Sequence, residues 1–134
     1  MNFSEIFEKY KVIAVLGFSQ NPARPSNRIA RYLNENGFIV YGVNPNLKDK
    51  IIDGIKCFEE LKSVPDKIQL VNIFRRSEFL QSIMNEILHL NYIPEVVWAQ
   101  IGVMDKKAEE IAAKNQISYI ENKCIMTEHH RLFL

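Results

Sequence analysis

Val12-Ile13-Ala14-Val15-Leu16-Gly17-Phe18-Ser19 begins with five consecutive apolar residues and runs into a glycine, a bulky residue and a serine. An apolar run this short reads as a strand buried on both faces, the kind found in a parallel sheet covered by helices. The loop Gly17 to Arg24 follows. Pro25-Ser26 then opens a helical pattern whose buried stripe is Ile29, Ala30 and Leu33. Strand, glycine turn and helix in that order bring free N–H groups and the positive end of a helix dipole to the carboxyl end of the strand, where they attract phosphate. The ligand site is expected there.

The rest of the chain repeats the alternation. Phe3, Ile6, Phe7 and Tyr10 recur at helical spacing and predict a helix within residues 1–10. Gly37 stops the second helix after Asn36, as glycine takes the left-handed position there. Strand two is Phe38 to Val43, closed by Asn44-Pro45. Ile51 to Cys57 holds a short extended piece, and Phe58 to Val64 one or two helical turns. Ile68 to Phe74 is strand three. Ser77 reads as an N-cap for a helix with Phe79, Leu80, Ile83, Ile87 and Leu88 on its face, ending near Asn91. Strand four is Glu95 to Gln100, with Gly102 in the turn. Asp105 caps a helix with Ala108, Ile111 and Ala112 inside, and strand five is Ile117 to Ile120. In the tail, residues 122–134, Met126 to Arg131 adds a helical turn that Glu128 and His129 tie to the sheet. Such βαβ units predict an α/β, Rossmann-like three-layer sandwich. Its five-stranded, mainly parallel sheet is expected in the order 3-2-1-4-5, as a single domain over residues 1–134.

Composition narrows the partners. The 134 residues are 47% hydrophobic and 25% charged, with a net charge of +1, as in ordinary globular domains. The lysines are scattered, which argues against nucleic acid. No apolar run approaches the roughly 20 residues of a membrane span. Met1-Asn2-Phe3-Ser4-Glu5 lacks the order of a signal peptide. Cys57 and Cys124 make no disulfide framework, so reduced thiols and a cytoplasmic location are expected. The apolar first helix and Leu132-Phe133-Leu134 dock either on the same chain or on a second copy, as a homodimer.

A dinucleotide is the default ligand of such a sheet, and the sequence argues against it. The NAD fingerprint wants three glycines and an acid at the end of strand two. Here the loop has Gly17 alone, and strand two ends in Asn44-Pro45. The loop still suits phosphate: N–H groups around Phe18 to Gln20, the Ser19 hydroxyl, Ser26 at the helix opening, and the fixed fork of Arg24. Lys48 or Lys50 would meet a 2′-phosphate if the cofactor were NADP.

Gly17-Phe18-Ser19, Arg24-Pro25-Ser26 and Gly42-Val43-Asn44-Pro45 together resemble the CoA-binding domain family of small Rossmann-like proteins. Pro65-Asp66, Phe74-Arg75, Val97 to Val103 and Cys124 to His129 continue the resemblance in register. The family is similar to the CoA-binding N-terminal domain of the succinate–CoA ligase alpha subunit. The resemblance implies coenzyme A, or an acyl-CoA, at the strand ends. It puts Gly17, Phe18 and Ser19 on the pyrophosphate, with Arg24 and Ser26 close by. Asn44-Pro45 would shape the turn under the adenosine, and Lys48 would take the ribose 3′-phosphate. Phe74 and Arg75 would border the adenine, and Gln100 and Gly102, with their neighbours to Val103, the pantetheine arm.

No Ser–His–Asp set, nucleophile elbow or H-E-x-x-H appears, so binding without catalysis is expected. Cys124, Glu128, His129 and His130 form the only reactive-looking cluster, and a closed zinc site wants a better four-ligand pattern. Cys124 follows strand five, near the expected pocket mouth. Its reactivity would require nearby cations or a lowered thiol pKa. Two other readings stay open: a minimal NAD(P)-linked oxidoreductase, and an interaction module that has lost its ligand.

Overall fold

The computed structural model describes residues 1–134. Its seven strands are β1 Val12–Leu16, β2 Ile39–Val43, β3 Ile51–Ile52, β4 Ile55–Phe58, β5 Leu70–Ile73, β6 Val96–Ala99 and β7 Ser118–Ile120. Its helices are α1 Phe3–Lys9, α2 Pro25–Glu35, α3 Leu80–Leu88, α4 Lys106–Lys114 and α5 Ile125–Phe133. The sheet order is β3-β4-β2-β1-β5-β6-β7. All neighbours are parallel except the β3–β4 pair.

This corrects the five-stranded sheet and its order. The piece Ile51 to Cys57 is a hairpin, turned at Asp53 and Gly54 with φ of 52° and 81°. Two central residues with positive φ suit the twist of paired strands. β4 then lies parallel beside β2, in register from Tyr41–Lys56 to Val43–Phe58. That place is therefore taken, and Leu70–Ile73 lies on the other side of β1 instead. Counting β4 as a strand of its own restores the doubly wound pattern, in which the order reverses at β1.

Alternation along the strands builds two cores. Ile13, Val15, Leu70 and Trp98 face α1, α2 and α5, where they meet Phe7, Ile29, Leu33 and Ile125. Ala14, Leu16, Val71, Ile73, Val97 and Ala99 face α3 and α4, where they meet Leu80, Ile83, Ile87, Ala108 and Ala112. Asn2 caps α1 and Asp105 caps α4, each accepting a backbone N–H at 2.9 Å. No helix is long and apolar enough to cross a membrane.

The tail is a full helix, and its anchoring differs from the expectation. His129 is buried and shares a 2.7 Å hydrogen bond with the Tyr32 hydroxyl of α2, not with the sheet. Glu128 bonds Arg131 within α5. The sheet holds α5 through Trp98 Nε1, which donates to the Lys123 carbonyl at 2.9 Å, and through Gln100. Ser77 does not cap α3 directly: it opens a short 3-10 turn, Ser77–Phe79, ahead of that helix. Its hydroxyl donates to the Gly102 carbonyl and accepts the Met104 N–H instead.

Candidate ligand-binding site

Gly17 turns the chain at the carboxyl end of β1 with φ of +90°, where L side chains are strained. A Cβ there would also lie 3.1 Å from the Phe74 carbonyl oxygen and 3.3 Å from Arg75 Cδ. The N–H groups of Gly17 and Phe18 both donate to the Val43 carbonyl, at 3.0 and 3.3 Å. Asn44 returns the link: its Nδ2 donates to the Phe18 carbonyl at 2.8 Å, and its Oδ1 accepts the Asn46 N–H. The Phe18 ring is fully buried and lies where Gly42 has no side chain; a Cβ at Gly42 would be 2.5 Å from it. Phe18 is thus a core residue that offers the groove only backbone.

The loop beyond is fastened from beneath. Ser26, the second residue of α2, accepts the Ser19 N–H on its hydroxyl at 3.1 Å. Asn27, wholly buried, donates to the Ser19 carbonyl at 2.9 Å and accepts from Arg31 Nε. These bonds correct the expected cradle. The Phe18 and Ser19 N–H groups are already engaged, whereas the Gln20 and Ser26 N–H groups have no partner in the chain. The hydroxyls of Ser19 and Ser26 act as acceptors within the loop, and neither has a partner for its own hydrogen. Two backbone donors and two hydroxyl donors therefore remain for an anion, with exposed Arg24 beside them.

Three hollows along the strand ends meet at Phe74, the residue that follows β5. One, of about 390 Å³, is lined by Gly17, Ser19, Arg24, Ser26 and Asn44. A second, of about 590 Å³, runs past Asn44 and Pro45 to the carboxylates of Glu59, Glu60 and Glu86. The third, of about 530 Å³, lies between α2 and the turn after β6, lined by Arg28, Arg75, Arg76, Gln100, Gly102 and Cys124. Together they form a groove across the point where the strand order reverses, where ligands of open α/β sheets bind. Its charge is split, with arginines toward α2 and carboxylates toward β4.

Of the residues singled out from sequence, all but Lys48 line this groove. Lys48 lies outside it, its Nζ 3.8 Å from Glu59. Arg28 was missed, although it stands one helical turn beyond Arg24 and so shares its side of α2. Gln100 is buried, its Oε1 accepting Asn72 Nδ2 at 3.1 Å and the Ile125 N–H at 3.0 Å. Burial pushes the Cys124 thiol up, but donors on Thr127, Gln100 and Met126 outweigh this and hold it below its ordinary value. No three His, Cys, Asp or Glu side chains converge as metal ligands, and the His129 ring is turned into the aromatic core.

The fold is that of a single-domain, Rossmann-like α/β protein, with a groove at its topological switch point. Residues 11–130 match the model of the CoA binding domain family, and the chain belongs to that family. The uncharacterized protein YneT of Bacillus subtilis is 32% identical over 125 residues, spanning 93% of this chain and 90% of that protein. A solved Thermus thermophilus protein, cell-free ID.343, superposes with a TM-score of 0.90 at 32% identity, covering 99% of this chain and all of that one. The ADP-forming acetate–CoA ligase II of Archaeoglobus fulgidus is 33% identical over 78 residues, 57% of this chain but 11% of that ligase.

Proposed function

We propose that the chain binds coenzyme A or an acyl-CoA along this groove, without catalysis of its own, as a carrier, sensor or regulator in the cytoplasm. One observation carries the reading: a donor-rich anion niche, Ser19 to Ser26 with Arg24, opens on either side into longer hollows that meet at Phe74. A diphosphate with a nucleoside on one side and a long amide arm on the other has that shape. The pyrophosphate sits on the Gly17–Ser19 turn and α2. The adenosine lies over Asn44-Pro45 toward Phe74 and Arg75. The pantetheine arm runs to Gln100 and Gly102. Lys48 takes the 3′-phosphate by leaving Glu59; both side chains are exposed, so their pairing costs little to break.

A nicotinamide dinucleotide has one observation in its favour. Glu59 and Glu60 line the hollow beside Asn44, and carboxylates there would suit ribose hydroxyls. A thermal-shift panel of CoA, dephospho-CoA, acetyl-CoA, NAD and NADP separates the readings. A ligand at a hundred times its Kd adds about 2.7 kcal/mol, or roughly 10 °C for a domain of this size. CoA and acetyl-CoA are expected to shift the midpoint, dephospho-CoA less, and NAD and NADP hardly at all. A larger shift with NAD overturns the reading, and no shift with any of them favours the interaction module.

A further inference from the structure

We propose that Cys124 is a thiol–disulfide exchange site for the disulfide of a pantetheine-bearing nucleotide, an inference that rests on the coenzyme A reading above. Cys124 lies just before α5 and lines the same hollow as Arg28, Arg75, Arg76 and Gln100. It is half-buried and reduced. Thiols near helix N-termini and cations are the ones that react as thiolates.

The second observation is Gln100. Its side chain is 6% exposed, and its Oε1 is fixed by the Ile125 N–H and by Asn72. Which end of the amide is which is therefore settled: the oxygen must face Ile125. The Nε2 group is left at the hollow, where one of its two hydrogens serves the Cys124 sulfur. Its second hydrogen has no acceptor in the chain. The amide carbonyls of a pantetheine arm are acceptors of the right kind, and a thiol at the end of that arm would share the hollow with Cys124. The donor and the thiol belong to one hollow, so an arm bound to the first leads to the second.

Cys57 supplies an internal contrast. It is buried within the sheet, its thiol donates to the Ile55 carbonyl at 3.5 Å, and burial pushes it above its ordinary value. Exchange is therefore confined to one of the two cysteines. In the step, the Cys124 thiolate attacks one sulfur of the nucleotide disulfide. A bond forms between those two sulfurs, and the original sulfur–sulfur bond breaks. The second nucleotide leaves as a thiolate, carrying the electron pair, and takes a proton from water. The oxidising equivalents enter with the disulfide, and a small thiol reverses the exchange.

The test follows intact mass over time after adding coenzyme A disulfide, with oxidised glutathione as the disulfide that lacks a nucleotide. The wild type, Cys124→Ser and Cys57→Ser are compared. The wild type and Cys57→Ser should each gain a single coenzyme A adduct that dithiothreitol removes, and Cys124→Ser should gain none. Binding in the groove should make the reaction about tenfold or more faster than with oxidised glutathione. Equal rates with the two disulfides, no adduct, or an adduct that persists in Cys124→Ser would overturn the proposal. Thermal shift of the reduced wild type with reduced coenzyme A, run in parallel, keeps the two claims apart. A shift without exchange removes only the thiol chemistry; no shift removes the ligand reading itself.

Discussion

A methyl group on Gly17 would press on the Phe74 carbonyl, and the same residue holds φ at +90°. The two penalties are independent, so Gly17→Ala should cost about 2–4 kcal/mol in chemical denaturation. Gly54 is the comparison: φ is +81°, but a Cβ there meets nothing within 4 Å, so only the backbone penalty of about 1 kcal/mol applies. Equal losses at the two positions would refute the contact with Phe74. Gly17 was legible because a glycine after a short apolar run has few other uses. Phe18 was only half legible. Its backbone does form the turn, but its ring fills the space above Gly42, and a one-dimensional reading cannot see an aromatic in the turn after β1 and a glycine on β2 as one packing unit. Asn27 was not legible at all: it looks like the polar face of a helix, yet it is wholly buried and fastens the loop. Lys48, named from the resemblance alone, stands outside the three hollows and pairs with Glu59, so its role depends on that exposed pair opening.

α5 depends on a neutral histidine. His129 lies among Phe7, Phe38, Phe133 and Tyr32, and its pKa is lowered, first by burial and then by the charges of Lys11 and His130. The unfolded chain therefore takes up the proton more readily than the folded one. Stability contributed by the neutral ring is complete above about pH 6.5, the ordinary histidine value. It is lost as the pH falls from there toward the depressed folded value. Melting temperature measured from pH 8 to 5 should decline below about pH 6.5, and His129→Phe should flatten that part of the curve by keeping an aromatic without a titrating nitrogen. An unchanged slope in the variant would assign the decline to other groups. The tail reads as no more than a helical turn because its composition is mixed; what makes it a helix is tertiary contact with α1, α2 and Trp98. The β3–β4 hairpin is the opposite case. Asp53-Gly54 between Ile52 and Ile55, which pair across the turn, is a strong hairpin signal in the sequence. It was passed over because the strands it joins have two and four residues.

That hairpin shows how a small element sets the topology. Five of the seven strands were legible from their apolar runs, but their order was not, since order depends on which segment claims the edge of β2. With β4 there, the reversal falls at β1, and the turn after β1 opens between the connections to either side. The groove therefore draws residues from both halves of the chain, and its charge is split although the molecule carries a net charge of only +1. Arg24, Arg28 and Arg76 stand at one end, Glu59, Glu60 and Glu86 at the other, and Arg75 lines both. A charge pattern with so little net field does not steer ligands from afar; it orients them once they arrive. Local attraction of this kind weakens with salt, because the screening length falls from about 10 Å at 0.1 M to about 3 Å at 1 M. Calorimetry over that range should weaken coenzyme A binding by about tenfold, while pantetheine, which has the arm but no phosphate, keeps a salt-independent affinity. Coenzyme A affinity that ignored salt would mean that the arginines do not hold its phosphates, and that the groove selects its ligand by the arm alone.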